Sequence, residues 1–191
     1  MDYKNLFHIA IQLISSPARA WEEIRLQEDP RGVFTAFVYP MIGLCGLSVF
    51  IGVLLDNGWG GPQSFQLAMT ECCSVAVALF GGYFLAAWLL NGFCIRFLHR
   101  PGNLPLMWQF TGYSLVILFL LRIILGILAD FQIIAFLLQF YTLFVVWEGS
   151  RVLLQMTDKI RFRFTMVATV SLLACPMLIE WLVNELTVVL N

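Results

Sequence analysis

Five long apolar runs decide what this chain can fold into. Residues 33–55, 72–95 and 131–147 contain no Asp, Glu, Lys or Arg, residues 106–129 contain only Arg122, and residues 164–183 contain only Glu180. A helix needs about 20 apolar residues, each rising 1.5 Å, to cross a hydrocarbon layer roughly 30 Å thick. No water reaches backbone N–H and C=O groups inside that layer, so only helices and closed barrels satisfy them internally. The runs lack the period-two alternation of barrel strands. The expected fold class is therefore an all-α integral membrane protein with five transmembrane helices. Charged residues make up 12% of the chain, about half of the ~25% usual in a soluble domain. That is too few to coat a globule whose residues are 60% apolar.

Residues 1–30 are built differently. Tyr3, Leu6, Phe7, Ala10, Leu13 and Ile14 recur at three- and four-residue spacing, which is one face of an amphipathic helix. Ser16 can cap a second short helix and Pro17 suits its first turn. Asp29-Pro30 should end that helix, because a residue before proline avoids the helical region. Trp21 would sit in the aromatic belt at the membrane boundary. The expected organisation is two amphipathic interfacial helices in residues 1–30, followed by a five-helix domain in residues 31–191. The two helices lie on the membrane surface and pack on the bundle, or serve to dock a partner.

The basic residues are sorted to one side. Lys4, Arg19, Arg25 and Arg31 precede the first run, and Arg96 and Arg100 lie between the second and third. Arg151, Lys159, Arg161 and Arg163 lie between the fourth and fifth. The opposite loops and the C-terminal tail hold none. Lys and Arg concentrate on the cytoplasmic side of membrane proteins. The split predicts a cytoplasmic N terminus, an exterior C terminus and an odd number of spans.

Small residues let helices approach closely in lipid. Gly43, Gly46, Ser48 and Gly52 in the first run, and Ser74, Ala78 and Gly82 in the second, predict that these two helices cross at close range. Pro40 and Pro176 should bend helices one and five. Asn91 and Gln139 read as interhelical hydrogen-bonding residues. Arg122 is the one basic residue inside a run, and such groups face the bundle interior, take a partner and are functional suspects. Three readings stand: an ion pair, with Glu180 the partner at matching depth, a side chain snorkelling outward, or part of a solute pathway. Asp130 and Glu71 are rival partners nearer the boundary.

Several classes are disfavoured. The five cysteines (Cys45, Cys72, Cys73, Cys94 and Cys175) are odd in number and show no CxxC spacing, so no disulfide framework is expected. There is no HExxH, GxSxG or P-loop, which points away from an enzyme, a bound cofactor or a metal site. No basic stripe interleaved with aromatics suggests nucleic acid.

The Ser16-Pro17-Ala18-Arg19-Ala20-Trp21 stretch, the five spans and the predicted sidedness resemble bacterial members of the Yip family, small multi-span proteins named for binding Ypt/Rab GTPases in eukaryotes. Gly112-Tyr113-Ser114-Leu115 is similar to that family's Gly-Tyr-Ser/Cys-Leu motif. Where the family has a proline shortly afterwards, this chain has Val116-Ile117. The long polar N-terminal region of the eukaryotic trafficking members is also missing. The resemblance implies a non-enzymatic organiser, adaptor or shaper of a prokaryotic plasma (inner) membrane. Its partners would be the lipid bilayer, other membrane proteins or a second copy. The alternative is a small transporter or channel, as a monomer or an oligomer, with Arg122 in its pathway. The scarcity of polar residues in the runs favours the first.

Overall fold

Apolar run length translates directly into spans in the computed structural model. Five helical segments are long and apolar enough to cross a membrane: Phe34–Asn57, Pro62–Phe97, Leu104–Ile127, Gln132–Val152 and Asp158–Leu186. The structure describes residues 3–26, 30, 32–59 and 61–190, with the side chains of 3–5, 129 and 187–190 outside that description. Asp29 of the expected helix stop and Arg31 of the basic set lie outside the described residues, as do the side chains of Tyr3 and Lys4. No strand occurs among the described residues.

The chain begins with a helical hairpin, α1 (Tyr3–Ser15) and α2 (Pro17–Arg25). Pro17 occupies the first helical turn as expected, but the Ser16 side chain caps nothing. Its backbone is already used from both sides: Ser16 N–H donates to Gln12 O at 2.8 Å and Ser16 O accepts from Ala20 N–H at 3.1 Å. Span one is α3 (Tyr39–Asn57), entered through a π-helical turn, Phe34–Val38. That wider turn absorbs Pro40, which lacks an N–H and would crowd the carbonyl one turn back. Span two is α4 (Pro62–Phe97), longer than its apolar run because Pro62 starts the helix in the preceding polar stretch.

Span three is divided into α5 (Leu104–Ser114) and α6 (Val116–Ile127), broken at Leu115 even without a proline there. A short 3₁₀ turn, Ala129–Phe131, makes the tight connection expected around Asp130. Span four is α7 (Gln132–Gln139) and α8 (Tyr141–Val152), and span five is α9 (Asp158–Leu190), with Pro176 inside it. The expected polar loop 148–163 shrinks to residues 153–157 because both flanking helices run past their apolar segments.

The two loops at the basic end share one construction. His99 and Gln155 take positive φ, 50° and 48°. The next N–H in each reaches back six residues at 3.1 Å, Arg100 to Cys94 O and Met156 to Ser150 O. Orphan carbonyls at a helix C-terminus are satisfied this way. Arg100 Nη1 then donates to Leu154 O at 2.8 Å and ties the loops together.

In the bundle α4 packs on both α3 and α9, α3 also packs on α6, and α8 packs on α9 and α2. The small-residue faces are shared out differently from the sequence expectation. Gly52 lies so close to Gly126 that a Cβ there would overlap the Gly126 carbonyl. Ser48 Oγ donates to Ile123 O and Cys45 Sγ to Phe119 O, so this seam joins span one to span three. Gly82 backs onto Pro176, where a Cβ would stand 2.6 Å from the proline Cα. Ser74 Oγ donates to Asn184 Oδ1 at 2.9 Å, so that seam joins span two to span five, and Ala78 between Ser74 and Gly82 is buried. Gly46 does face span two, 3.1 Å from the Cys72 Sγ by its Cβ position, whereas Gly43 meets nothing within 4 Å. The correction has a simple cause. Spacing shows that a helix has a small face, and says nothing of which neighbour comes to it.

Candidate functional site

Two constellations stand out: an aromatic anchor at the basic end and an ion pair in the far half. The anchor is built around Trp21 on α2. Sequence alone places this side chain at the aqueous boundary, yet it is completely buried. Its ring stacks on Phe110 at 5.7 Å between centroids and meets Tyr113 edge-on at 6.3 Å. Its Nε1–H donates to Val145 O at 3.0 Å. A buried indole N–H needs such an acceptor. Gly149 makes room for the ring, since a Cβ there would stand 2.6 Å from Trp21 Cε2.

Two stretches nearly ninety residues apart in sequence thus meet at one point. Tyr113 also packs on Phe37 at 4.9 Å. Gly112 admits span one, for its Cβ would lie 2.9 Å from side-chain atoms of Val33 and Val38. Ser114 is fully buried at the end of α5, just before the break in span three.

The spans also cap the hairpin. Tyr141 donates its hydroxyl to Ile14 O at 2.6 Å, and Gln109 Nε2 donates to Ile24 O at 3.2 Å. Both acceptors lie in last turns, where carbonyls lack intrahelical partners. Gln12 Nε2 donates to Glu23 Oε1 at 2.7 Å across the hairpin. Sequence reading missed Gln109, Tyr141 and Gly149 as a set. The one available signal was a polar or small residue in an otherwise apolar stretch.

The apolar residues of α1, the stripe and Ile11 beside it, divide in two. Leu6, Ala10 and Leu13 are buried, while Phe7, Ile11 and Ile14 face outward. The helix is apolar on both edges because one edge meets the bundle and the other is left open. Leu6 and Phe7 share an apolar notch with Tyr39, Pro40, Gly43, Leu44 and Leu47 of span one.

In the far half, Arg122 on α6 and Glu180 on α9 form an ion pair through Nη2 and Oε2. Their side chains keep 29% and 21% of their exposure, so the pair is part-buried. Neither Asp130 nor Glu71 pairs with Arg122. Among the described residues Asn91 and Gln139 make no side-chain hydrogen bond to another helix, and the Asn91 Oδ1 is buried without a partner. Besides those of Gln12, Trp21 and Tyr141 described above, interhelical bonds come from Cys45, Ser48, Ser74, Tyr83 and Gln109. The five cysteines are free.

A five-span, all-helical membrane protein with an N-terminal hairpin locked into its bundle is the class these features define. The Yip1 domain matches residues 11–182, which include α2, the Gly112-Tyr113-Ser114 motif and both partners of the ion pair. The chain belongs to the Yip1 domain family. No curated protein and no solved structure matches it.

Proposed function

We propose that this Yip1-domain protein is a non-enzymatic organiser of a prokaryotic plasma membrane, acting on lipid and on neighbouring membrane proteins from its outer surface. Its N terminus is cytoplasmic and its C terminus exterior, as the sorting of Lys and Arg supports. The observation that carries the reading is the seating of α1. The Ile14 carbonyl is held by Tyr141, which opens the 12-residue α8 at the end away from Val152, about 16 Å along the axis. The opposite end of α1 shares an open notch with Tyr39 to Leu47 of span one. The apolar runs of spans one and four carry no Asp, Glu, Lys or Arg at that level, and the exposed side chains of α1 include Phe7, Ile11 and Ile14 beside His8. A helix so placed lies within one leaflet and widens the protein on that side only.

Reconstitution of the full chain into vesicles tests this. Increasing protein density reduces vesicle diameter, measured by electron cryo-microscopy. The triple variant Phe7→Asn, Ile11→Asn, Ile14→Asn keeps the bundle-facing Leu6, Ala10 and Leu13 and leaves the diameter near that of protein-free vesicles. Equal diameters for the two proteins would remove the basis for this reading. A second reading, a small transporter or channel, draws on the residual exposure of Arg122 and Glu180. Ion or solute flux that depends on Arg122 in the same vesicles would favour it.

A further inference from the structure

On the outer surface of spans two and five, at the basic end, lies a groove of about 540 Å³. This is within the roughly 300–1,000 Å³ of small-molecule sites. Its walls are apolar, with Trp88, Phe93, Phe97 and Val167 among them, and Arg96 stands on its rim. Trp88 and Phe97 are 65% and 69% exposed, so the groove opens sideways from the bundle. Among the described residues Arg96 has no carboxylate within ion-pair distance.

Five residues deeper, about 7.5 Å along the helix, Asn91 also lines the groove. Its Oδ1 is buried under Gly102 of the basic-end loop, leaving Nδ2 as the half that can serve a ligand. Gly92 lines the floor and has open space around it.

We infer that this groove holds one anionic phospholipid. Its phosphate pairs with Arg96, an ester carbonyl accepts from Asn91 Nδ2, and an acyl chain fills the apolar trough. The order of these groups along the helix matches the order of groups in such a lipid: charge at the rim, hydrogen-bond acceptors next, hydrocarbon beyond. Basic pockets between spans recognise acidic headgroups by this chemistry. The site is separate from the α1–α2 hairpin, so it stands or falls independently of the membrane-widening role.

The test uses the intact protein in detergent, titrated with dioleoyl phosphatidylglycerol or dioleoyl phosphatidylcholine and read by native mass spectrometry. The wild type is expected to bind phosphatidylglycerol at least five-fold more tightly. Arg96→Gln should abolish that preference. Gly92→Phe should fill the trough and weaken binding of both lipids at least five-fold, with thermal stability unchanged because a side chain there meets open space. Arg25→Gln, a basic residue remote from the groove, should leave binding as in the wild type. The proposal is overturned if the wild type shows no preference, if the preference survives Arg96→Gln, or if Gly92→Phe binds both lipids as tightly as the wild type. Glycerol phosphate binding as tightly as the full lipid would overturn it too, because the acyl trough would then contribute nothing.

Discussion

The two ends of this bundle hold themselves together by different means. At the basic end, large rings pack without exposed surface: Trp21, Phe110 and Tyr113 share one contact, and Phe110 continues to Phe164 at 5.4 Å. Helix-terminal carbonyls there are taken by Tyr141, Gln109 and the two loop turns. In the far half the contacts are small and close. Gly52 lies on Gly126, Gly82 lies on Pro176, and one ion pair bridges spans three and five. Span four contributes little packing there, since Ile133, Phe136, Leu137 and Phe140 of this span are all more than half exposed. Helices in lipid gain nothing from hiding apolar surface, so they associate by dispersion contact, hydrogen bonds and close backbone approach. The basic end relies on the first two, and the far half mainly on the third. One end should therefore fail when a large group is removed, and the other when a small group is enlarged.

Trp21→Ala should have the largest effect. It empties a ring-sized site, removes the hydrogen bond to Val145 O and unfastens the hairpin from spans three and four. Truncation of a buried Trp costs about 3–5 kcal/mol. The expected outcome is a large fall in thermal stability in detergent, together with protease access to residues 1–26. Trp21→Phe should recover part of the stability, because a ring remains while the indole donor is lost. A Trp21→Ala protein as stable as the wild type would mean that the hairpin is not anchored.

Next comes the contrast between Gly52 and Gly43. The two look alike in sequence, but only Gly52 has backbone against it. Gly52→Ala should destabilise by about 3 kcal/mol, the upper part of the 1–3 range for overpacking, since a carbonyl cannot rotate away as a side-chain tip can. Gly43→Ala should be neutral or slightly stabilising, because alanine is the better helix former and nothing obstructs its methyl. Equal effects at the two positions would show that spans one and three do not meet at Gly52. Melting curves of the two single variants decide it.

That contrast also marks how much was legible in the sequence. Span number and type followed from run length and the cost of an unpaired peptide group, which depend on local composition alone. The start of α2 at Pro17 and the tight turn near Asp130 followed from backbone chemistry. Partnership did not follow. The spacing of Ser74, Ala78 and Gly82 marks a face, and whether span one or span five lies on it depends on how the other helices fill the remaining space. Trp21 misled for a related reason. An amphipathic ring suits a membrane boundary and a buried acceptor equally well, and only the fold supplies the carbonyl of Val145. Helix ends in polar sequence, such as Pro62 to Glu71, were also hidden, because the apolar window ends before the helix does.

The smallest expected effect belongs to the ion pair, and it sharpens the comparison most. Arg122 and Glu180 reach each other from α6 and α9, two helices otherwise joined mainly through their neighbours. Breaking a fully buried pair costs about 3–5 kcal/mol, because the charge left behind has neither water nor partner. An exposed pair contributes about 0–1 kcal/mol. With 29% and 21% of their side-chain surfaces still accessible, a coupling between those limits follows, roughly 2 kcal/mol. The measurement is a double-mutant cycle on thermal stability in detergent, with Arg122→Leu, Glu180→Leu and the combination. Each single variant strands a charge, so the double variant should be more stable than the sum of the two losses predicts. Strict additivity would reject the direct pair and leave Arg122 free to snorkel or to serve a solute. Exchanging the charges, Arg122→Glu with Glu180→Arg, should restore part of the coupling if attraction across the gap is what matters. If only the original arrangement is stable, the site's geometry rather than its charge balance holds the far half together, and that half would then resemble the anchored end more than its small residues suggest.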